Sequence, residues 1–266
     1  MSGAERIAAA FSGAADRGRS AALMPYLMGG YPDLATGRAI GQAYVDGGAD
    51  LIELGVPYSD PLADGPVIHA AGTAALDAGA SFLSVLDTGR ELSGRVPVVL
   101  MCYSNLVYAR GVDAFVELLA VAGLSGLIVP DLPLEEAPEF RSACDERGLA
   151  LVPLVAPSTP DERLARIGEL ARGFLYTVSV AGTTGERSGP ADGLAGVIER
   201  AKSHTDVPVA VGFGISTPEH ATATAEAGAD GVIIGSRLVR EAGEAADPAE
   251  AVRELVAAMA DALAAR

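Results

Sequence analysis

The sequence predicts a single (β/α)8 barrel of the TIM type over residues 1–266, with an N-terminal helix closing the barrel floor. Three observations carry this reading. Short runs that are apolar throughout alternate with helical stretches, the pattern of a parallel sheet covered by helices. One joint recurs: Gly48-Ala49-Asp50-Leu51-Ile52 returns as Gly228-Ala229-Asp230-Gly231-Val232-Ile233, with looser copies at Gly123-Leu124-Ser125-Gly126-Leu127-Ile128 and Gly148-Leu149-Ala150-Leu151-Val152. Each copy is a helix ended by glycine, a short turn and an aliphatic strand. Such strands number eight in this chain, and eight units in about 250 residues is the size of one barrel. A doubly wound sheet is the alternative, but it usually has fewer strands.

Taken in order, Arg6 to Ala15 reads as the helix on the floor. Strands are expected around 21–28, 50–54, 97–102, 126–130, 149–155, 174–179, 208–212 and 231–234. Val96-Pro97-Val98 and Val207-Pro208-Val209 are matched strand beginnings, with proline where a first strand residue tolerates it. Leu34 to Asp46 and Asp113 to Ala122 are among the intervening helices, and Ala246 to Ala265 is the last. No linker, charge run or domain boundary interrupts the pattern.

Composition narrows the function. The chain is 50% hydrophobic but only 5% aromatic, so the core is aliphatic. Its net charge of -16 argues against nucleic acid or an anionic membrane as partner, since both demand basic patches. Cys102 and Cys144 make no disulfide framework, which fits a reducing cytoplasm. Neither a signal peptide nor a membrane-length apolar run is present, and the expected location is cytoplasmic.

The most informative stretch runs from Glu53 to Pro66. Strands alternate faces, so Leu51 and Glu53 point one way while Ile52 and Leu54 point the other. Glu53 therefore ends an apolar strand, and a loop stiffened by Pro57, Pro61 and Pro66 carries Asp60 and Asp64. An acid on an apolar strand end beside others on a stiff loop makes an acid–base pair with separated pKa values. The plainer reading is a helix cap and a solvated strand end. Barrel enzymes place their chemistry at the C-terminal ends of the strands, which puts Glu53 at the mouth.

The later strands run into glycine-bearing loops: Ser179 to Gly185, Gly212-Phe213-Gly214-Ile215-Ser216, and Gly235-Ser236 opening a helix. Such loops after the last strands commonly hold phosphate, through backbone N–H groups and the helix dipole. With Lys202 the only lysine, a phosphate has to be held largely by backbone. Tight turns alone also explain the glycines. No lysine ends a strand, which excludes a Schiff-base aldolase, and His69, His204 and His220 are too scattered to ligate a metal. What remains is carboxylate acid–base chemistry on a phosphate-bearing substrate, without metal or organic cofactor. Tyr103, Asn105 and Tyr176 are further polar groups for the mouth, or else packed aromatics and turn residues.

The run Glu53 to Pro66, Tyr103-x-Asn105, Pro130-Asp131-Leu132-Pro133, Ser179-x-x-Gly182-x-Thr184-Gly185, Val211 to Ser216 and Gly235-Ser236 together resemble the tryptophan synthase alpha chain family, over nearly the whole chain and in order. The resemblance implies retro-aldol cleavage of indole-3-glycerol phosphate to indole and glyceraldehyde 3-phosphate. It implies a tryptophan synthase beta chain as partner in an alpha2beta2 heterotetramer, with pyridoxal phosphate in that partner and no cofactor here. By motif position, Glu53 and Asp64 become the catalytic pair and Tyr176 a site tyrosine. Gly185, Gly214, Gly235 and Ser236 fall on the phosphate cradle, and Asp60 and Asp131 face the partner. The chain departs from the pattern at His69, where glutamine is expected, at Leu106, where proline is expected, and in the loop Ala181-Gly182-Thr183-Thr184-Gly185. The rivals are a free-standing lyase that releases indole, a sugar-phosphate isomerase or epimerase barrel, and a non-catalytic regulatory subunit.

Overall fold

A computed structural model describes residues 1–178, 193–212 and 214–264. Among these lie nine strands: β1 Ala22–Met28, β2 Ile52–Gly55, β3 Val98–Met101, β4 Gly126–Ile128, β5 Ala150–Val152, β6 Leu154–Val155, β7 Leu175–Val178, β8 Val209–Gly212 and β9 Gly231–Ile234. The helices are α1 Gly3–Asp16, α2 Leu34–Asp46, α3 Pro66–Asp77, α4 Phe82–Ser93, α5 Ser104–Tyr108, α6 Val112–Val121, α7 Ala137–Glu146, α8 Asp161–Leu170, α9 Leu194–Lys202, α10 Pro218–Glu226, α11 Ser236–Glu244 and α12 Pro248–Leu263.

All strand pairs are parallel, in the order β5-β4-β3-β2-β1-β9-β8-β7-β6. The expected strand at 149–155 is divided at Pro153, which has no N–H to give a ladder. Its carbonyl still accepts from Tyr176 N at 3.0 Å. β5 pairs back onto β4 and β6 pairs forward onto β7, so the two ends of the sheet are joined through Pro153. The ring therefore closes through the chain itself.

Alternation along each strand separates two cores. Ala22, Met24, Leu51, Val99, Ile128, Ala150, Val152, Tyr176, Ala210 and Ile233 pack together inside the ring. Leu23, Leu27, Ile52, Leu54, Leu100 and Leu127 face outward onto the helices. Ile7, Phe11 and Ala14 of α1 join the inner cluster and plug the floor. The floor helix starts three residues earlier than the sequence suggests. Ser2 and Glu5 form a reciprocal capping box, which satisfies the first amides.

The recurring Gly-Ala-Asp joint has a physical reason. Asp50 N donates to the Leu23 carbonyl at 2.9 Å, and the Asp50 carboxylate takes the Leu23 N–H in return at 2.8 Å. Asp230 N donates to the Val209 carbonyl at 2.9 Å, and its carboxylate takes the Val209 N–H at 2.8 Å. Each aspartate thus locks its strand to the start of a neighbouring one. Asp50 is buried and also holds Arg17 and Arg19, whereas Asp230 is part-exposed and pairs with Lys202.

This difference in burial predicts different costs. Asp50→Ala leaves a buried amide and a guanidinium without their acceptor and destabilises by about 3 kcal/mol. Asp230→Ala costs about 1 kcal/mol, because water reaches its surroundings. Denaturant midpoints of the two variants check the order, and a reversed order refutes it.

Candidate active site

β2 carries Glu53 inward, one step above Leu51 toward the strand's C-terminal end. It lies in register with Tyr26 on β1 and Val99 on β3. Only 2% of Glu53 is exposed, and its Oε2 has no hydrogen-bond partner among the described residues. Burial, with the charge of Asp64 second, pushes its pKa up to about 8. At neutral pH this carboxyl keeps its proton.

Two tyrosines flank it. Tyr26 and Tyr176 are buried, and their hydroxyls are raised well above the ordinary phenol range. Burial is the main cause in both, followed by Asp64 and Glu53 for Tyr26 and by Glu53 for Tyr176. Each ring lies across a strand-ending glycine. A Cβ on Gly55 would stand 2.0 Å from Tyr26 Oη, and one on Gly212 would stand 2.5 Å from Tyr176 Oη. Only glycine admits such an approach. Tyr26 is a site residue that the sequence reading missed, because β1 looks uniformly apolar. Its signal was the alternation Ala22, Met24, Tyr26, which points the ring inward.

Asp64 sits on the loop between β2 and α3. Its Oδ1 accepts from Tyr103 Oη at 3.0 Å, and the same hydroxyl accepts from Ala63 N at 3.0 Å. Burial raises the Asp64 pKa, while the Tyr103 hydrogen bond and His69 hold it back. Two neighbouring carboxyls thus meet different surroundings: Glu53 is buried with its Oε2 unsatisfied among the described residues, and Asp64 is held by a donor. Asp60 is exposed and accepts from Ser59 Oγ at 2.5 Å. Asp131 is half-buried, and both its oxygens are engaged by Ser104, at 2.8 Å to N and 2.7 Å to Oγ. It therefore ties the loop after β4 to the start of α5, a role not read from the sequence.

The glycine-bearing loops end β8 and β9. Gly214 takes φ +83°, a left-handed conformation suited to glycine. Gly235 precedes Ser236 at the N-terminus of α11. A Cβ on Gly235 would lie 3.7 Å from Tyr26 Cβ, so this corner adjoins the acidic pair. Gly185 and the rest of the loop after β7 up to residue 192 lie outside the described residues. Of the departures noted in the sequence, His69 lies on the first turn of α3 and is exposed, facing Asp64 electrostatically.

A family model described as tryptophan synthase alpha chain matches residues 11–265. A tryptophan synthase alpha chain of Prochlorococcus marinus is 50% identical over 227 residues, covering 85% of this chain and 82% of the relative. One from Methanosarcina acetivorans is 49% identical over 222 residues, covering 84% and 81%. Among solved structures, Mycobacterium tuberculosis tryptophan synthase superposes with a TM-score of 0.90 at 41% identity, covering 97% of this chain and 98% of that one. The tryptophan synthase α2β2 complex of Pyrococcus furiosus gives 0.84 at 38% identity, covering 91% and 98%.

The burial of Glu53 predicts a pH-dependent cost. Its folded pKa of about 8 lies above the unfolded value of 4.5. Between those values the unfolded chain has lost a proton that the folded chain keeps, so stability falls as pH rises through that window. Glu53→Gln removes the cost. The variant matches the wild type in stability near pH 4 and exceeds it by a few kcal/mol at pH 8. Unfolding free energies at both pH values check this; a gap that does not grow with pH refutes it.

Proposed function

The chain belongs to the tryptophan synthase alpha chain family, and we propose that Glu53 and Asp64 carry the chemistry of that family here. The family cleaves indole-3-glycerol phosphate and passes indole to the beta chain of an alpha2beta2 complex. The observation that carries the residue assignment is the buried carboxyl of Glu53, its Oε2 without a hydrogen-bond partner among the described residues and its pKa pushed up to about 8, beside Asp64.

Cleavage requires a proton on C3 of the indole ring, so that the ring accepts electrons as the carbon–carbon bond breaks. It also requires loss of the proton on the side-chain hydroxyl next to the ring. Neutral Glu53 gives its proton to C3 and, as a carboxylate, takes the hydroxyl proton as the bond opens. The net transfer is one proton from oxygen to C3, with Glu53 restored. Asp64 accepts a hydrogen bond from the indole N–H and stabilises the ring cation. Tyr176 and Tyr26 wall the space around Glu53. Gly214, Gly235 and Ser236, joined by Gly185, receive the phosphate on backbone N–H groups and the α11 dipole.

The remaining assignments rest on the same reading. Pyridoxal phosphate belongs to the beta partner and no cofactor to this chain; Lys202, its one lysine, lies at the end of α9 and pairs with Asp230. Asp60 and the loop held by Asp131 face the partner. Residues 1–266 form one domain, a reading supported by the packing of α1 against the floor of the ring and by Ser20 N on the Leu263 carbonyl at 2.8 Å. No helix among the described residues is long and apolar enough to cross a membrane. Free, buried Cys102 and Cys144 support a cytoplasmic location.

Glu53→Gln keeps the fold and lowers kcat about 10²- to 10⁴-fold, the usual loss for an acid–base group. Asp64→Asn lowers kcat with KM little changed, because the carboxylate matters most when the ring turns cationic. Indole release measured with the beta chain present checks both; near wild-type turnover by either variant removes that residue from the mechanism. At the cradle, Gly235→Asp sets a negative charge against the phosphate. It weakens glycerol phosphate binding about 10-fold or more and leaves free indole unaffected. Equal binding of glycerol phosphate to both proteins places the phosphate elsewhere.

A further inference from the structure

We infer that Tyr103 is a positioning residue that aims Asp64, an inference that rests on the proposed role of Asp64. Tyr103 follows β3 and is 5% exposed. Its ring packs against Tyr58, with centroids 5.2 Å apart. Its hydroxyl is used twice on the loop that carries Asp64. It accepts from the amide of Ala63 at 3.0 Å, which sets the backbone one residue before the acid, and donates to Asp64 Oδ1 at 3.0 Å, which sets the carboxylate itself. Asn105 Nδ2 donates to Tyr58 Oη at 3.3 Å and fixes the near end of the same loop to the same element.

One phenol therefore holds the backbone of Ala63 and the side chain of Asp64 on the loop that follows a neighbouring strand. A loop with exposed Ser59, Asp60 and Leu62 has little apolar surface to hold it otherwise. Misplacement of a catalytic group by about 1 Å costs on the order of 100-fold in rate. The hydrogen bond has a second consequence. Asp64 faces Glu53 from β2, Tyr26 from β1, His69 from α3 and Tyr103. Burial works against its ionised form. Tyr103 donates a hydrogen bond to that form, and His69 supplies favourable charge. Asp64 must be a carboxylate when the indole ring turns cationic, and Tyr103 is the directly bonded group that favours this.

Tyr103→Phe retains the ring and its packing on Tyr58 and deletes only the hydroxyl. In the complex with the beta chain, kcat for indole release falls about 10- to 100-fold with KM within about twofold. The acid limb of the kcat/KM profile moves to higher pH by about one unit, since a lost donor raises a carboxyl pKa. The alkaline limb, set by the neutral form of Glu53, stays in place. In an Asp64→Asn background the acid limb disappears and Tyr103→Phe has no further effect, because both substitutions act through one carboxylate. Wild-type kcat and an unmoved acid limb in Tyr103→Phe, with Asp64→Asn impaired, overturn the inference and leave the role of Asp64 standing. An unimpaired Asp64→Asn overturns both. Should Tyr103→Phe lose its fold, 3-fluorotyrosine at position 103 keeps the shape and strengthens the donor. The acid limb then moves to lower pH, and an unmoved limb again overturns the inference.

Discussion

Glu53 is a carboxyl held out of water by a closed ring of short strands, with one oxygen that nothing in the described protein satisfies. An ionised carboxylate in that position would cost several kcal/mol, so the group keeps its proton instead. A proton source at neutral pH needs a dry, unpaired acid, and a dry, unpaired acid survives only where the surrounding fold is stable enough to carry its cost. The barrel supplies that stability from below. On the same strand connection, three residues earlier, Asp50 is equally buried but takes the Leu23 amide and the guanidinium groups of Arg17 and Arg19. One acid is fully partnered and fastens the floor. The other lies above Leu51 with one oxygen unsatisfied among the described residues and its pKa pushed up to about 8.

Space at the mouth is made by glycine and filled by tyrosine. Gly55 and Gly212 end β2 and β8, and the rings of Tyr26 and Tyr176 from β1 and β7 lie across them. The large residue of one strand leans over the missing side chain of the next. This brings two apolar ring faces with polar tips beside Glu53, which deepens its desolvation without giving it a cation. Asp64 receives the opposite treatment, with a phenol donor and a nearby imidazole. Two carboxyls within electrostatic reach thereby sit in different environments, one buried with an unsatisfied oxygen and one held by a donor, the arrangement that the proposed shuttle and cation stabiliser require.

The joint repeated along the chain is a structural device rather than a chemical one. Asp50 and Asp230 each exchange two hydrogen bonds with the strand alongside, which closes the strand beginnings on the side away from the chemistry. In the looser copy, Ser125 N still donates to the Val98 carbonyl at 2.8 Å, but the serine hydroxyl finds no partner among the described residues. The backbone half of the device persists without the carboxylate half. Division of labour between a fastened floor and a variable mouth is what lets loops such as Val56 to Pro66 change without loss of the ring.

Read alone, the sequence determined the repeating strand–helix pattern, the inward face of Leu51 and Glu53, and the helix that plugs the floor. These are set by local periodicity and by turn residues, which act over a few positions and are written contiguously. The resemblance extended this to the family and to the pair Glu53 and Asp64. Tertiary structure decided the rest. That Pro153 divides a strand while its two halves still close the ring depends on partners from β4 and β7. Tyr26 beside Glu53, Tyr103 on Asp64 and Asp131 on Ser104 are meetings between segments 27, 39 and 27 residues apart. The register of a closed barrel sets which inward residues meet, and no period within one strand carries that information.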